Sequence, residues 1–471
     1  MAPTGPGYCS PAEAVKAPKE EIVYVTCIAL EEGKTDYLAV VDVDPKSSTF
    51  CQVISRLKMP AQNKQDELHH FGWNACSSCH HDSNTKRDKL IFPCLKSDRV
   101  YIVDVSEERS PKLYKTIEPE ELHKHGLSAP HTSHCLANGE IMISTMGDKD
   151  QNGKGNFFVL DGKNDFEVKG AWSDESTPYG YDFWYQPAFD VMVSTEWGAP
   201  KAFKNGFSLE DVGNNLYGSN LNIWSWKKKK ITQTIELGPE GLTPLEVRFL
   251  HNPNKPHGFV GCAVASTVFH IHQKGDQWAA DKVITIPPKT VDNWHMGLTE
   301  MPGVITDILI SMDDKYLYFS NWVHGDIRQY DISDPASPKL TGQVWIGGSI
   351  TKDGLVKVIN DKELKEQPES LVVKDTKVTG GPQMIQLSLD GKRIYVTTSL
   401  FSPWDKQFYG ELVKTGTCMV QVDVDVVNGG MKVNPDFLVD FGKEPDGPAL
   451  AHEVRYPGGD CSSDIFLSKC A

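Results

Sequence analysis

The chain has 471 residues, of which 39% are hydrophobic, and a formal net charge of −15. This acidic balance argues against a protein that binds nucleic-acid backbones, and no apolar run of 18 residues predicts a membrane helix. The first residues lack the apolar core of a secretory signal. We therefore expect a protein of the cytoplasm, and also of the nucleus, whose eleven cysteines are mainly reduced.

Residues 1–20 are predicted to be a flexible segment that precedes a body spanning residues 21–471. Within this body, alternating strands joined by Asp, Gly, Pro or Lys turns recur as hairpins, beginning with "YLAVVDVDPKSSTFCQVI". Seven such hairpins begin at Tyr37, Val100, Phe157, Leu221, Val268, Ile327 and Met419.

A second strand–turn–strand unit recurs between these hairpins, as in "HTSHCLANGEIMIST" and "YDFWYQPAFDVMVST". Its seven copies begin at His69, His131, Tyr181, Leu245, Ile305, Pro382 and His452, about 64 residues apart on average. A four-stranded unit that repeats at this interval predicts an all-β, seven-bladed β-propeller. The first hairpin and the last unit each lack a partner, so we expect strands from the two ends of the chain to share one blade and close the ring.

The second unit supplies the innermost strand of each predicted blade, which lines the central channel. Aligned copies place His70 (with His69), His131 and His452 at corresponding positions in three neighbouring blades, and His134 lies near the same strand. Converging imidazoles favour a site for copper, zinc, iron or nickel. A single histidine at a strand start would more simply be structural, but three corresponding ones favour a metal site.

The segment "DELHHFGWNACSSCHHD" also contains Cys76-Ser-Ser-Cys79-His80, which permits three interpretations. A zinc ribbon would need a second cysteine pair, and Cys94 alone follows nearby. A c-type haem would require attachment outside the cytosol. The alignment places both cysteines on an inner strand, where we expect a thiol pair that is either redox-active or simply buried.

Long blocks of the sequence, including "DELHHFGWNACSSC", "HTSHCLANGE", "EVRFLHNP", "FSNWVHGDIRQYDISDP" and "GPALAHEVRYPGGDCSSDI", resemble the selenium-binding protein 1 family in its animal form. The resemblance extends from Glu20 to about Cys461. It implies a seven-bladed propeller that acts as a methanethiol oxidase, converting methanethiol, oxygen and water to formaldehyde, hydrogen sulfide and hydrogen peroxide.

By this resemblance the cofactor is copper, and its ligands fall on the segments that contain His69, His70, His131 or His134, and His452. The selenium-carrying cysteine of the family falls on Cys51, which the repeat places in an outer strand away from the channel. Selenium binding and thiol oxidation would then occupy separate sites.

Three further residues are candidates for catalytic roles. Glu453 and Glu246 are expected to orient ligating histidines or to accept protons, because such histidines usually donate their second N–H group to a carboxylate. His324 lies in another predicted blade and is a candidate for a supporting polar role. All three are equally compatible with structural roles.

Two alternative functions remain open from the sequence. One is a selenium or thiol carrier that works through Cys51 without turnover, and the other is a propeller that binds partner proteins on its faces. The histidine cluster favours the enzyme because neither alternative needs it.

Overall fold

The computed structural model describes residues 6–63 and 66–467; residues 1–5 of the predicted N-terminal segment lie outside it. The first strands are β1 (Ile22–Ala29), β2 (Tyr37–Asp42), β3 (Val53–Lys58), β4 (Gly72–Trp73), β5 (Lys89–Pro93), β6 (Val100–Asp104), β7 (Lys112–Ile117), β8 (Ser128–Cys135), β9 (Glu140–Gly147), β10 (Gly153–Asp161) and β11 (Glu167–Ala171). The middle strands are β12 (Phe183–Gln186), β13 (Val191–Ser194), β14 (Asn220–Ser225), β15 (Lys230–Glu236), β16 (Pro244–Phe249), β17 (His257–Cys262), β18 (Thr267–Lys274), β19 (Gln277–Thr285), β20 (Lys289–Asp292) and β21 (Glu300–Met301). The last are β22 (Ile305–Ile310), β23 (Tyr316–Asn321), β24 (Asp326–Asp331), β25 (Lys339–Trp345), β26 (Lys357–Asn360), β27 (Val372–Val373), β28 (Thr376–Lys377), β29 (Ile385–Leu387), β30 (Arg393–Val396), β31 (Cys418–Val424), β32 (Met431–Asp440) and β33 (Ala449–Arg455).

The helices are short and lie in the connections. They are α1 (Pro11–Ala14), α2 (Pro119–His123), α3 (Pro200–Phe203), α4 (Leu209–Gly213), α5 (Ser402–Phe408) and α6 (Leu412–Thr415). Five 3-10 turns span Ser77–Cys79, Pro187–Phe189, Gly238–Gly241, His295–Gly297 and Phe441–Lys443. Within the described residues, no helix is long and apolar enough to cross a membrane.

The strands of the described chain form seven four-stranded antiparallel sheets, together with one three-stranded and one two-stranded sheet in the connections. The strand orders are β4-β5-β6-β7, β8-β9-β10-β11, β12-β13-β14-β15, β16-β17-β18-β19, β22-β23-β24-β25, β29-β30-β31-β32 and β33-β1-β2-β3. In the last sheet, the C-terminal strand β33 pairs with β1, and Val454 lies opposite Val25. This all-β arrangement is consistent with a propeller.

One edge strand of each sheet faces its neighbours and the other faces solvent. The first group consists of β4, β8, β12, β16, β22, β29 and β33, which we call the inner strands. Contacts join β4 to β8, β12 to β16, β16 to β22, β22 to β29 and β29 to β33. The inner strand β33 is buried at every residue, whereas the outer strand β15 alternates between exposed and half-buried residues, as expected where one face meets water.

Four inner strands contain a β-bulge at the same position. In each of them two consecutive residues lie opposite one residue of the next strand. The bulged pairs are His131–Thr132, Leu245–Glu246, Thr306–Asp307 and His452–Glu453. Because a bulge redirects side chains and interrupts pairing, this repeated irregularity positions the polar residues of the candidate site.

Candidate metal centre

Four buried histidines converge where the inner strands begin. His69 and His70 lie one residue before β4, separated from it by Phe71, His131 lies in the bulge of β8, and His452 lies in the bulge of β33. The ring centroid of His69 is 4.0 Å from that of His452 and 4.8 Å from that of His70. The ring centroids of His70 and His131 are 4.2 Å apart. At most 4% of any of the four residues is exposed.

Each histidine of this cluster presents a ring nitrogen that has no hydrogen-bond partner. These atoms are His69 Nδ1, His70 Nε2, His131 Nε2 and His452 Nε2. Ligand atoms of His69, His70 and His131 all lie within 4.8 Å of one another. Buried polar atoms are normally satisfied, so three or four orphaned nitrogens in one place fit a metal ion.

The second nitrogen of three of these rings is held by a neighbour. His452 Nδ1 is 2.7 Å from the carbonyl oxygen of Ser399 and donates its hydrogen there. His70 Nδ1 lies 3.2 Å from Glu453 Oε2, and His131 Nδ1 lies 3.0 Å from the Thr132 hydroxyl. Such contacts fix the ring and direct the other nitrogen towards a metal.

The cluster also favours neutral imidazoles. Burial lowers the pKa of His69, His70 and His131 well below the ordinary value, and the neighbouring histidines lower it further. The pKa of His452 is likewise lowered by burial. A neutral imidazole with a free lone pair is the form that ligates metals.

Glu453 connects the cluster to the protein interior. Its carboxylate accepts a hydrogen bond from Phe71 N at 2.5 Å and forms an ion pair with Arg455. Burial raises the pKa of Glu453 despite the positive charge of Arg455. Contact with His70 makes this residue a direct support of the histidine cluster.

Glu246 lies in the equivalent bulge of β16 but contacts a different set of groups. Arg248 joins it to Asp182, with guanidinium–carboxylate distances of 2.6 Å to each. Burial and the charge of Asp182 raise the pKa of Glu246 well above its ordinary value. The Tyr181 ring is 4.0 Å from that of His131, and burial followed by the charge of Glu246 raises the pKa of Tyr181 well above its ordinary value.

An aromatic cap covers the histidines. The Phe401 ring is 5.8 Å from that of His69 and packs with Trp197 and Phe203, which stack on each other at 4.1 Å. Ser402, the next residue, donates from its backbone N and its hydroxyl to the carboxylate of Glu67 at 2.9 and 2.6 Å. The Glu67–Ser402 hydrogen bonds therefore hold the neighbouring Phe401 against His69.

A surface pocket lies directly outside this cap. Its volume is about 910 Å³, and its lining includes Glu67, Lys96, Lys204, Ser402 and Lys406. Lys96 Nζ is 2.9 Å from Glu67 and 5.4 Å from the Phe401 ring centre. The pocket and the histidine cluster are therefore separated by Phe401 and the Glu67–Ser402 contact.

Comparison with known proteins adds to this geometry. Residues 2–467 match the family model described as 56kDa selenium binding protein (SBP56). The chain belongs to the 56 kDa selenium-binding protein family.

Relatives in this family agree over the full length. The chain is 61% identical to a Xenopus laevis protein and 61% identical to a Homo sapiens protein, each over 470 residues and 98% of both chains. Both relatives are named methanethiol oxidase. A Sulfolobus tokodaii structure, titled a hypothetical selenium-binding protein, is 38% identical, covers 99% of both chains and superposes with a TM-score of 0.86.

The candidate metal ligand His134 and the candidate catalytic residue His324 lie apart from the cluster. His134 packs against Phe183 and Trp184, with ring centroids 5.1 and 5.3 Å away, and burial lowers its pKa to about 3. His324 lies in the turn between β23 and β24, where Nε2 is 3.0 Å from the Met301 carbonyl oxygen. Within the described chain, neither residue makes a ring contact or a hydrogen bond with the four histidines.

Cys51 lies in the turn between β2 and β3, rather than within an outer strand as the repeat predicted. Its φ of 64° places it in the left-handed region, and its Sγ is 3.7 Å from the carbonyl oxygen of Asp436. The turn is at the opposite side of the sheet from β33. Cys51 is half-buried, and burial raises the pKa of its thiol.

The placement of Cys76 and Cys79 on an inner strand was wrong. Strand β4 ends at Trp73. Cys76 precedes the 3-10 turn Ser77–Cys79 and its sulfur accepts a hydrogen bond from Ser78 N, and Cys79 is the last residue of that turn. His80 follows this turn, and its Nδ1 lies 3.0 Å from the carbonyl oxygen of Gly7. In the described part of the chain, no disulfide joins any of the cysteines.

Several residues of the site were not found from the sequence. Ser399 and Phe401 belong to a loop without a distinctive motif, and Arg455 was visible only as part of "HEVRY". Cys135 follows His134 in "HTSHC", and its proximity to Cys79 depends on how two sheets pack. No local sequence signal reports such contacts.

Proposed function

We propose that this protein is a methanethiol oxidase that acts at the four-histidine cluster. The reaction converts methanethiol, oxygen and water to formaldehyde, hydrogen sulfide and hydrogen peroxide. The observation that carries the proposal is the set of unpartnered nitrogens on His69, His70, His131 and His452. The names of the relatives from Xenopus laevis and Homo sapiens support the same activity.

Copper is the metal that we propose for this site, held by the same four histidines. Imidazole suits copper, and the donor set contains no thiolate that would favour zinc or an iron–sulfur cluster. When bound, copper supplies the redox chemistry that joins a thiol to dioxygen and lowers the pKa of a coordinated thiol. Copper, hydrogen sulfide and hydrogen peroxide are parts of the proposal.

The residues around the cluster orient it and control protons. Ser399 holds His452 in the tautomer whose Nε2 is free, and Glu453 performs the same role for His70. Glu453 and Glu246, both buried carboxyls with raised pKa, are placed to take up or release protons near the cluster. We propose no direct chemical step for His324.

Phe401 and Trp197 exclude water and restrict the size of the substrate. The cap above His69 is aromatic and fully packed, which suits a small apolar thiol rather than a charged or bulky one. Removing water also strengthens the electrostatic interactions within the site. Entry from the 910 Å³ pocket requires movement of Phe401.

We further propose that the seven four-stranded sheets close into one seven-bladed ring with a body at residues 21–471. Pairing of β33 with β1 supports closure by the two ends of the chain. Location in the cytoplasm and nucleus, the flexible character of residues 1–20 and partner proteins on the faces of the ring stay predictions.

Selenium binding at Cys51 is a second candidate function. The family description names selenium, and Cys51 is half-buried while most of the described cysteines are buried. Its position outside the inner strands predicts that selenium labelling and thiol oxidation are independent.

The activity is tested with the purified full-length chain after copper loading. Formaldehyde, sulfide and peroxide should appear in equal amounts as methanethiol and oxygen are consumed. His131→Gln should abolish all three, whereas His257→Gln, on β17, should not. Turnover that survives in His131→Gln would contradict the proposed site.

A further inference from the structure

Three buried cysteines lie close together where the β4–β5 connection meets the end of β8, in a place that the proposed reaction does not use. Cys76 precedes the 3-10 turn between β4 and β5, Cys79 is the last residue of that turn, and Cys135 is the last residue of β8. Their exposed fractions are 1%, 2% and 2%. All three belong to one hydrophobic cluster, so their sulfurs are enclosed by the same side chains.

The Ser78 hydroxyl lies among the three sulfurs. It is 3.2 Å from Cys76 Sγ, 3.8 Å from Cys79 Sγ and 3.8 Å from Cys135 Sγ. The Cys79 thiol also donates a hydrogen bond to the carbonyl oxygen of Leu136, the residue that follows Cys135, at 3.3 Å. Ser78 and Leu136 therefore hold Cys79 close to Cys135.

Cys79 is a better nucleophile than Cys135. Its hydrogen bond with Cys135 lowers the pKa of its thiol to about 6, while burial raises the pKa of Cys135 well above the ordinary value. Elsewhere in the interior, burial raises the pKa of Cys27 and Cys94. Because the thiolate is the reactive form, oxidation should begin at Cys79.

We propose that Cys79 and Cys135 form a reversible disulfide when the protein meets hydrogen peroxide. The Cys79 thiolate attacks one peroxide oxygen, the O–O bond breaks, and the departing hydroxide takes a proton to leave as water. The Cys135 sulfur then attacks the resulting sulfenic acid, the S–O bond breaks, and a second water leaves. Two thiols thus lose two electrons and two protons, and one peroxide becomes two waters.

This bond would join two sheets that supply the metal centre. His69 and His70 precede β4, whose connection to β5 contains Cys79, and β8 contains both His131 and Cys135. The disulfide would therefore tie together the elements that carry three of the four histidines. Peroxide from any source is enough to form this disulfide. The proposed function enters only if the peroxide is the one that the protein itself produces.

The test treats the full-length protein, as purified, with one equivalent of hydrogen peroxide. Remaining thiols are alkylated under denaturing conditions, and tryptic peptides are mapped by mass spectrometry without reduction. No Lys or Arg separates Cys76 from Cys79, so variants must assign the bond. Cys76→Ser, Cys79→Ser and Cys135→Ser are compared, with Cys94→Ser as the matched buried control.

The expected result is a cross-link between the Cys76–Cys79 peptide and the Cys135 peptide in the wild type, Cys76→Ser and Cys94→Ser. The link should be absent from Cys79→Ser and Cys135→Ser and should disappear after treatment with a dithiol. A link that persists in Cys79→Ser, a bond between Cys76 and Cys79, or no link at all would overturn the proposal. Circular dichroism confirms that each variant is folded, and if Cys135→Ser is not, Cys79→Ser and Cys76→Ser decide alone.

Discussion

His452 donates from Nδ1 to the carbonyl oxygen of Ser399 at 2.7 Å, and this contact leaves Nε2 facing the other histidines. The Ser399 hydroxyl in turn donates to Asp405 at 2.5 Å, and Asp405 also accepts from Leu400 N at 2.9 Å. The loop that orients His452 is thus held by a buried carboxyl group. A metal ligand and its support come from segments that are 53 residues apart in the chain.

Replacing Glu453 should weaken metal binding. Glu453→Gln removes the charge that faces His70 and Arg455, and loss of such a support typically costs about 10- to 100-fold in metal affinity. Copper affinity is measured by competition with a chelator. Glu20→Gln is the matched control, because Glu20 forms a buried pair with Arg393 at 2.6 Å in another part of the protein. Equal loss in both variants would indicate a general structural effect.

A smaller side chain at Phe401 in the aromatic cap should broaden the range of thiols that the protein oxidises. Phe401→Leu opens space above His69, so kcat/KM for propanethiol should rise relative to that for methanethiol. Phe408→Leu serves as the control, because Phe408 lies outside the cap and packs on Trp322 and Trp404. An unchanged ratio of the two kcat/KM values in Phe401→Leu would contradict its role in selecting substrate size.

The buried His134 should make unfolding sensitive to pH. Its folded-state pKa of about 3 lies below the ordinary value, so the unfolded chain binds the proton first as pH falls below about 6.5. The stability that neutral His134 supplies is present above about pH 6.5 and declines as pH falls towards 3. Between pH 7 and pH 5, the wild type should lose about 2 kcal/mol relative to His134→Gln.

Denaturant unfolding at both pH values measures this difference. The neighbouring Trp184→Phe changes packing without removing a titrating group, so its effect on the free energy of unfolding should be the same at pH 5 and pH 7. A His134→Gln effect that is equally independent of pH would show that His134 titrates normally in the folded protein.

Selenium labelling at Cys51 should be independent of methanethiol oxidation at the histidines. Cys51→Ser should lose selenium labelling but keep methanethiol turnover, because Cys51 lies in the β2–β3 turn at the far side of its sheet from His452. Labelling is measured with radioactive selenite, and Cys418→Ser is the buried control. Loss of turnover in Cys51→Ser would place Cys51 in the reaction.

The repeat pattern predicted the strands well because each hairpin has its own alternation of apolar and polar residues and its own turn residues. The alternating segment that begins at Tyr37, for example, forms β2 (Tyr37–Asp42), and the aligned histidines of three units do converge. The bulges explain part of this convergence: they place His131 and His452 at equivalent positions that simple strand alternation does not distinguish.

The contacts between segments were beyond prediction from one sequence. Whether His131 or His134 joins the cluster depends on the bulge at His131–Thr132, which has no sequence marker. Cys76 and Cys79 were assigned to a strand because their segment aligned with strands in other units, but a polar 3-10 turn replaces strand pairing there. The supports Ser399 and Phe401 reach the site through loop packing alone.

The most direct test of the account is metal analysis of protein purified without a histidine tag and loaded with copper. Copper per chain is measured by elemental analysis in the wild type, in His69→Gln, His70→Gln, His131→Gln and His452→Gln, and in the control His134→Gln. We predict about one copper per chain in the wild type and His134→Gln, and strongly reduced copper together with lost turnover in the other four. Full copper occupancy in those four variants, or none in the wild type, would contradict a four-histidine copper centre.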